Sequence, residues 1–226
     1  MPDYLPPPEY FDTPHRYLLP VETMLWRVHR RTKDPTEFTG YQDDRRFQYG
    51  RFRGSAADPY AGWHASPDAA TILADILLRS VELSPTGYRM VRRVTVAGQC
   101  ATALITAVEL ELVSLRSAAD LAAVAQDVWL IHADEVHDPM TRRWASWIRS
   151  QAPWASGFIW PPRRAADHQL VVLFADRCKA DIFDPDPITR IDLDDERGAE
   201  WLNWVLRPYR ARINPPRTRA DGERTG

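Results

Sequence analysis

Alternating apolar and polar positions mark several strands of this chain. MLWRVHR at 24–30 and LELVSL at 110–115 follow a two-residue period, which is typical of a strand with one buried face. Other segments are predicted to be strands because they are rich in aromatic, β-branched or continuous apolar residues. They are 62–66, 88–96, 157–160 and 169–175.

Helices are predicted where apolar residues recur every three or four positions. Ser66 followed by Pro67 is a capping signal, and the apolar residues of 72–78 then have helical spacing, which predicts a helix over 67–81. Comparable patterns predict helices at 117–124, 126–134, 141–151 and 194–208. Strands and helices interleave without a regular βαβ rhythm. We therefore expect an α+β fold, a single domain with a bent, mixed β-sheet flanked by helices.

The two ends of the chain differ from its middle. Residues 1–20 contain six prolines, whose fixed torsions and missing donors predict an extended arm without regular structure. Residues 213–226 are polar and almost free of large apolar groups, which predicts a disordered tail. The sequence thus predicts one domain over 21–212, a length that a single core can support.

Composition narrows the functional class. Of the 226 residues, 44% are hydrophobic and 27% are charged, as in ordinary globular proteins. No apolar run is long enough to span a bilayer, and the N-terminus lacks the features of a signal peptide, so we expect a cytoplasmic protein with two reduced cysteines. A net charge of -2 gives no general attraction to nucleic acid. Direct nucleic-acid binding is therefore the weakest hypothesis.

Five segments carry a resemblance to a known family. They are LWRVHR at 25–30, GRFRG at 50–54, WHASPDAATILADILLRSV at 63–81, GFIWPPRR at 157–164 and LVVLF at 170–174. Their order and spacing resemble the RES domain, the toxin of bacterial RES–Xre toxin–antitoxin systems, over about residues 20–180. The resemblance implies an ADP-ribosyltransferase-like fold and an enzyme that binds and consumes NAD.

The resemblance assigns candidate site residues position by position. The family's arginine corresponds to Arg51, supported by Arg27 on the first predicted strand of the motif. The family's tyrosine corresponds to His64, its glutamate to Asp75 and its serine to Pro162, so three of the motif positions are substituted. Proline supplies neither a hydroxyl nor a backbone N–H, which removes the serine's hydrogen bonds at that position.

Neighbouring residues are candidates for the functions that these substitutions remove. Tyr60 and Trp63 lie within four residues of His64 and provide aromatic surface on which nicotinamide could stack. Arg163 follows Pro162 directly and could bind phosphate with its planar guanidinium group.

The chemistry of NAD cleavage explains why these residue types matter. Breaking the bond between nicotinamide and ribose builds positive charge on the sugar, so a nearby carboxylate must stabilise it, and Asp75 is the candidate. Aspartate is one methylene shorter than glutamate, which sets its oxygens back from the sugar. Arg27 and Arg51 would bind the pyrophosphate through bidentate hydrogen bonds, and His64 would donate to a ribose hydroxyl or stack on nicotinamide.

The leading hypothesis is a RES-type toxin that takes NAD as its substrate and cleaves the nicotinamide–ribose bond by hydrolysis, phosphorolysis or ADP-ribosyl transfer. The implied partners are an Xre-type antitoxin and a second copy of the chain. The alternative is a catalytically impaired RES-fold protein that binds a nucleotide or a partner, because three motif positions are substituted. No metal is expected: His132 and His137 stand five apart and point to different helix faces.

Overall fold

The computed structural model describes residues 5–7, 9–10, 12–40, 50–179 and 181–215 of the chain. Within these residues the strands are β1 (Arg16–Leu19), β2 (Met24–Arg30), β3 (Gly62–Ala65), β4 (Arg89–Val91), β5 (Gln99–Ile105), β6 (Leu110–Ser114), β7 (Gly157–Trp160), β8 (Leu170–Phe174), β9 (Thr189–Asp192) and β10 (Ala211–Ile213). The helices are α1 (Ala69–Leu77), α2 (Arg93–Val96), α3 (Ala118–Ala122), α4 (Trp129–His132), α5 (Asp138–Gln151) and α6 (Glu196–Val205), with short 3₁₀ turns at Glu135–His137 and Arg207–Tyr209.

The strands form a mixed sheet and two smaller sheets. The largest sheet has five strands in the order β1-β6-β7-β8-β3, in which only β6 and β7 are parallel. An antiparallel sheet has the order β2-β5-β9, and β4 pairs with β10 in parallel. A backbone bridge between Trp26 and Ser66 joins β2 to the end of β3. The α+β prediction, with one domain and a mixed sheet flanked by helices, is confirmed.

Alternation along the central strands explains how the five-stranded sheet is buried on both faces. Phe158 and Phe174 pack with Trp144 and Ile148 of α5 on one face. Leu173 belongs, with Leu25 and Leu104 of the other sheet, to the cluster on the opposite face, because neighbouring strand residues point in opposite directions. A third cluster packs α1 and α6 against β2 and β5. Packing on both faces therefore fixes the positions of β3, β7 and β8 and of their side chains.

Helix α1 is shorter than predicted and begins at a different cap. Asp68, not Ser66, is its N-cap, and its carboxylate accepts a hydrogen bond from the N–H of Thr71 at 2.7 Å. Ser66 instead donates to the carbonyl of Gln169 at 2.7 Å and ties β3 to β8. The helix ends at Leu77, four residues before the predicted end at 81.

Two further predictions about elements were wrong, and the start of the predicted tail differs by one residue. The single strand predicted at 88–96 is divided into β4 and the short helix α2. The arm predicted to lack regular structure contains β1, which pairs with β6 because Pro14 and Pro20 lie just outside its ends and leave its N–H groups free to bond. The tail predicted from 213 begins in β10, and its residues 216–226 lie outside the described residues.

Candidate functional site

Two adjoining cavities lie beside α1 and β3. The first cavity has a volume of about 590 Å³ and is lined by Arg27, Arg51, His64 and Asp75, four of the residues that the sequence singled out. The second cavity has a volume of about 540 Å³ and is lined by polar and charged residues that include Arg163 and Pro162. Both volumes fall within the range of roughly 300–1,000 Å³ typical of small-molecule sites. The residues that line both cavities are Arg51, Asp75, Arg79, Ser80 and Glu135.

Asp75 and His64 face each other in the first cavity. The strand β3 directs His64 to the same face as its cross-strand neighbour Val172, and α1 lies beside it. The His64 Nε2 atom lies 3.5 Å from an Asp75 carboxylate oxygen, and the side chains are 33% and 18% exposed. The Nε2 atom itself is buried and makes no hydrogen bond. The Asp75 carboxylate is thus partly buried, faces a cavity and lies next to an imidazole.

The protein holds His64 in its neutral form. Burial is the main cause, and it lowers the pKa of His64 to about 4. The Asp75 carboxylate opposes this shift, whereas the guanidinium groups of Arg51, Arg53 and Arg79 add to it. Near pH 7 a neutral imidazole has one nitrogen that donates a hydrogen bond and one that accepts a hydrogen bond, and it brings no charge into the site.

Arg51 is a buried cation with unused hydrogen-bonding capacity. Its side chain is only 7% exposed; Nη2 donates to the carbonyl of Ala133 at 2.9 Å, while Nε is buried without a partner. Burial lowers the pKa of Arg51, and the nearby carboxylate of Asp75 opposes that shift. No described carboxylate forms an ion pair with this group. A buried guanidinium without a paired anion is costly, so this arrangement favours an anionic ligand in the cavity.

Arg27 lines the cavity, but its hydrogen bonds are directed to the protein. Nη1 donates to the carbonyls of Pro35 at 2.8 Å and Glu37 at 2.5 Å, and Nη2 donates to the Thr39 hydroxyl at 3.0 Å. The side chain is 4% exposed, and its burial lowers its pKa. Arg27 therefore anchors the loop 35–39 at the edge of the cavity, which differs from the phosphate-binding role expected from the sequence.

Tyr60 and Trp63 were expected to provide the aromatic surface, but neither lines either of these two cavities. Trp63 neighbours His64 on β3 and so points to the opposite face, where it packs against Phe183 at 4.4 Å between ring centroids. Tyr60 is also in the core: its hydroxyl donates to the carbonyl of Phe52 at 3.0 Å. The structure thus corrects this part of the sequence interpretation.

The aromatic wall of the first cavity is supplied by Trp160. This residue ends β7, is almost fully buried, and meets the His64 ring edge to face, with 5.5 Å between centroids. Sequence reasoning treated GFIW only as a strand. The available signal was the place of Trp160 in GFIWPPRR at 157–164, one of the segments that carry the family resemblance.

Arg163 and Pro162 lie at the second cavity, away from the aromatic wall. Arg163 forms an exposed ion pair with Asp134, and Pro162 occupies the turn after β7. Ser80, an exposed residue that lines both cavities, also brings a hydroxyl to the second cavity. The predicted Arg163 is therefore part of the wider site, but it lines the second cavity, whereas Trp160 lines the first.

Arg79 and Glu135 are site residues that the sequence interpretation missed. Arg79 donates to the buried carboxylate of Asp138 at 2.6 Å and lies 3.7 Å from Glu135. Its position four residues after Asp75 was a usable signal, because residues at that spacing lie on the same side of a helical segment. Glu135 comes from a 3₁₀ turn far away in sequence, and nothing local indicated that it would reach the cavity.

The arrangement combines the elements that N-glycosidic bond cleavage requires. It offers a carboxylate beside a cavity, a buried guanidinium, a neutral imidazole and an indole ring. Among the described residues, no three histidine, cysteine, aspartate or glutamate side chains are grouped as a metal ion would require. In the same part of the chain, no helix is both long enough and apolar enough to cross a membrane.

Comparisons with known proteins identify relatives by sequence model and by fold. A model of the RES domain matches residues 24–194 of this chain. The crystal structure of the M. tuberculosis MbcT-MbcA toxin-antitoxin complex contains a chain of similar fold, with a TM-score of 0.57 and 14% sequence identity. The similarity covers 83% of this chain and 91% of that chain. A search among curated proteins finds no match.

Proposed function

Because the chain belongs to the RES domain family, we propose that it binds NAD in the first cavity and cleaves the bond between nicotinamide and ribose. One observation carries the proposal: Arg51, His64 and Asp75, which come from three separate segments, converge on one cavity of about 590 Å³. The alignment of the family motif had predicted that these residues act together. Their convergence supports the proposal independently of the motif.

Each side chain has a role that follows from its surroundings. Arg51, which has no described carboxylate as an ion-pair partner, binds a phosphate of the dinucleotide through charge-assisted hydrogen bonds. Asp75 stabilises the positive charge that develops on the ribose as nicotinamide leaves. His64 stays neutral and orients the Asp75 carboxylate or a ribose hydroxyl, while Trp160 offers the aromatic ring next to which nicotinamide is held.

We further propose that the protein is the toxin of a bacterial toxin–antitoxin pair and acts in the cytoplasm. The similar fold of a chain in the MbcT-MbcA toxin-antitoxin complex supports this assignment and an antitoxin as partner. We propose an Xre-type protein as that antitoxin, as the resemblance to the RES family implies. Two free cysteines, Cys100 and Cys178, are consistent with a reducing compartment. Dimerisation of the chain remains part of the same proposal, to be measured by light scattering.

The proposal is tested by incubating the purified protein with NAD and measuring nicotinamide release. The Asp75→Asn variant keeps the shape of the side chain and removes its charge, so release should fall about a hundredfold or more. Asp167→Asn is a matched control, because Asp167 is 85% exposed and lines neither cavity. Equal background release from the wild-type protein and Asp75→Asn would refute cleavage.

A second function is favoured by the substituted motif positions. Pro162 and Asp75 replace the family's serine and glutamate, so a protein that binds the nucleotide without turnover is the alternative. Calorimetry with NAD and with ADP-ribose separates the two functions, because the alternative predicts saturable binding and no nicotinamide release from any variant.

A further inference from the structure

Glu135, like Asp75, lies where the two cavities meet. Within the residues that the structure describes, Asp75 and Glu135 are the carboxylates that line both cavities. They come from different elements: Asp75 from α1 and Glu135 from the first residue of the 3₁₀ turn Glu135–His137. A ligand that extends from one cavity into the other therefore has two acidic side chains beside it.

The Glu135 carboxylate is free to act on a ligand. Its side chain is 32% exposed, and its nearest cation is Arg79, with 3.7 Å between Oε1 and Nε. The short hydrogen bond of Arg79, at 2.6 Å, is made to Asp138 instead. No described residue donates a hydrogen bond to the Glu135 carboxylate, so its oxygens can accept a proton from a molecule in the cavity.

We propose that Glu135 is the base that activates the water molecule which replaces nicotinamide, an inference that rests on the proposed NAD cleavage. The water oxygen forms a bond to the anomeric carbon of the ribose, and the bond from that carbon to the ring nitrogen of nicotinamide breaks. The electron pair of that bond stays on the nitrogen, which becomes neutral. The proton of the water passes to Glu135 and then to solvent, so the products are ADP-ribose, nicotinamide and one proton.

Water and inorganic phosphate differ in whether they need a base to act as the acceptor. Inorganic phosphate is already an anion at neutral pH and needs no base. Arg51 and Arg79 line the junction of the cavities together with Asp75 and Glu135, so the charges there do not exclude an anion, and the choice of water follows from the presence of a base. Water is neutral and a poor nucleophile until a base takes its proton. Asp75 and Glu135 thus have different roles: Asp75 stabilises the positive charge on the sugar, and Glu135 takes the proton of the attacking water.

A purely structural role for Glu135 makes a different prediction. If Glu135 serves only as a partially exposed ion-pair partner of Arg79, its neutralisation should change the stability of the protein little, because such pairs contribute little to stability. Arg79 would keep its shorter contact to Asp138. Turnover would then be unaffected.

The test compares Glu135→Gln with the wild-type protein and with Glu200→Gln, a control on the exposed surface of α6. Steady-state nicotinamide release should show a fall in kcat of about a hundredfold or more for Glu135→Gln, the usual contribution of a general base. KM for NAD should stay within about threefold, because Glu135 acts on the water in the transition state and does not bind NAD. Glu200→Gln should match the wild type.

Chemical rescue distinguishes a base from a residue that only maintains the fold. Azide is an anionic nucleophile that needs no deprotonation, so it should restore nicotinamide release by Glu135→Gln and yield the azide adduct of ADP-ribose. Azide should not restore release by Asp75→Asn, because that variant lacks the stabilisation of the sugar. Unchanged kcat for Glu135→Gln, absence of rescue, or ADP-ribose phosphate as the main wild-type product in phosphate buffer would each overturn the inference.

The failure of this inference is distinguishable from the failure of the proposed function. If the wild-type protein releases nicotinamide and Glu135→Gln does so equally, NAD cleavage stands and the role of Glu135 is refuted. If the wild-type protein releases none, both are refuted together.

Discussion

The role of Arg27 can be tested by replacing it with lysine, which keeps the positive charge and removes the planar guanidinium group with its several N–H donors. Arg27 makes three hydrogen bonds to Pro35, Glu37 and Thr39, and a lysine ammonium in its place can keep about one of them. Hydrogen bonds to charged groups contribute about 1.5–3 kcal/mol each. Glu37 is exposed and the other two acceptors are half-buried, so water compensates part of the loss. We expect Arg27→Lys to lower the free energy of unfolding by about 2–4 kcal/mol.

The assay combines urea unfolding, followed by tryptophan fluorescence, with calorimetric titration of NAD. An anchoring role predicts the loss of stability and a change in NAD affinity below about tenfold, equivalent to about 1.4 kcal/mol. Arg197→Lys, on the exposed surface of α6, is the control and should change neither quantity. Full stability together with an affinity loss of about a hundredfold or more would refute the reasoning, because the guanidinium would then be engaged with phosphate rather than with the loop.

Three further perturbations test the site and the fold around it. Burial lowers the pKa of His64 to about 4 in the folded protein. Between about pH 6.5 and 4 the unfolded chain therefore binds a proton that the folded chain does not, so the free energy of unfolding decreases as the pH decreases through that window. His64→Gln should remove about 1–2 kcal/mol of this dependence in urea titrations at pH 7 and 4.5, allowing for the one-third exposure of the ring; an unchanged dependence would contradict a neutral His64. Gly157→Ala would bring its Cβ within 2.0 Å of the carbonyl of Val172, so thermal unfolding should show a loss of about 3 kcal/mol or more, and a wild-type Tm would contradict the close approach of β7 and β8. Arg79→Met leaves the buried Asp138 carboxylate unpaired and should lower the free energy of unfolding by about 3 kcal/mol. The double variant Arg79→Met with Asp138→Leu should regain part of that stability in the same assay. If the single and the double variant lose the same stability, the two residues are not coupled.

The sequence predicts strands well where one face or both faces are uniformly apolar. The bounds of β2 and β7 match the predicted 24–30 and 157–160. Strand β5 was missed because QCATALI is buried along nearly its whole length and contains small residues, so its pattern has no clear period. The cap of α1 was misplaced because Ser66 and Asp68 are both good capping residues, and the contact of Ser66 with Gln169 comes from tertiary structure.

The candidate site was only partly visible in the sequence, for a physical reason. Motif spacing indicated Arg51, His64 and Asp75, and the fold brings them together around one cavity. Nearness along the chain suggested Trp63 as the aromatic wall, but adjacent strand residues point to opposite faces, so Trp63 is in the core. Glu135 joins the site through a contact between distant segments, which no local pattern encodes.

The most direct test of the account is calorimetric titration of NAD into the Asp75→Asn protein, in which binding is separated from turnover. We expect saturable binding of one NAD per chain, and a loss of at least about a hundredfold in affinity when Arg51→Met is added, because the buried guanidinium supplies the phosphate contact. If folded Asp75→Asn protein shows no NAD binding, or if removal of Arg51 leaves the affinity unchanged, the cavity is not a dinucleotide site.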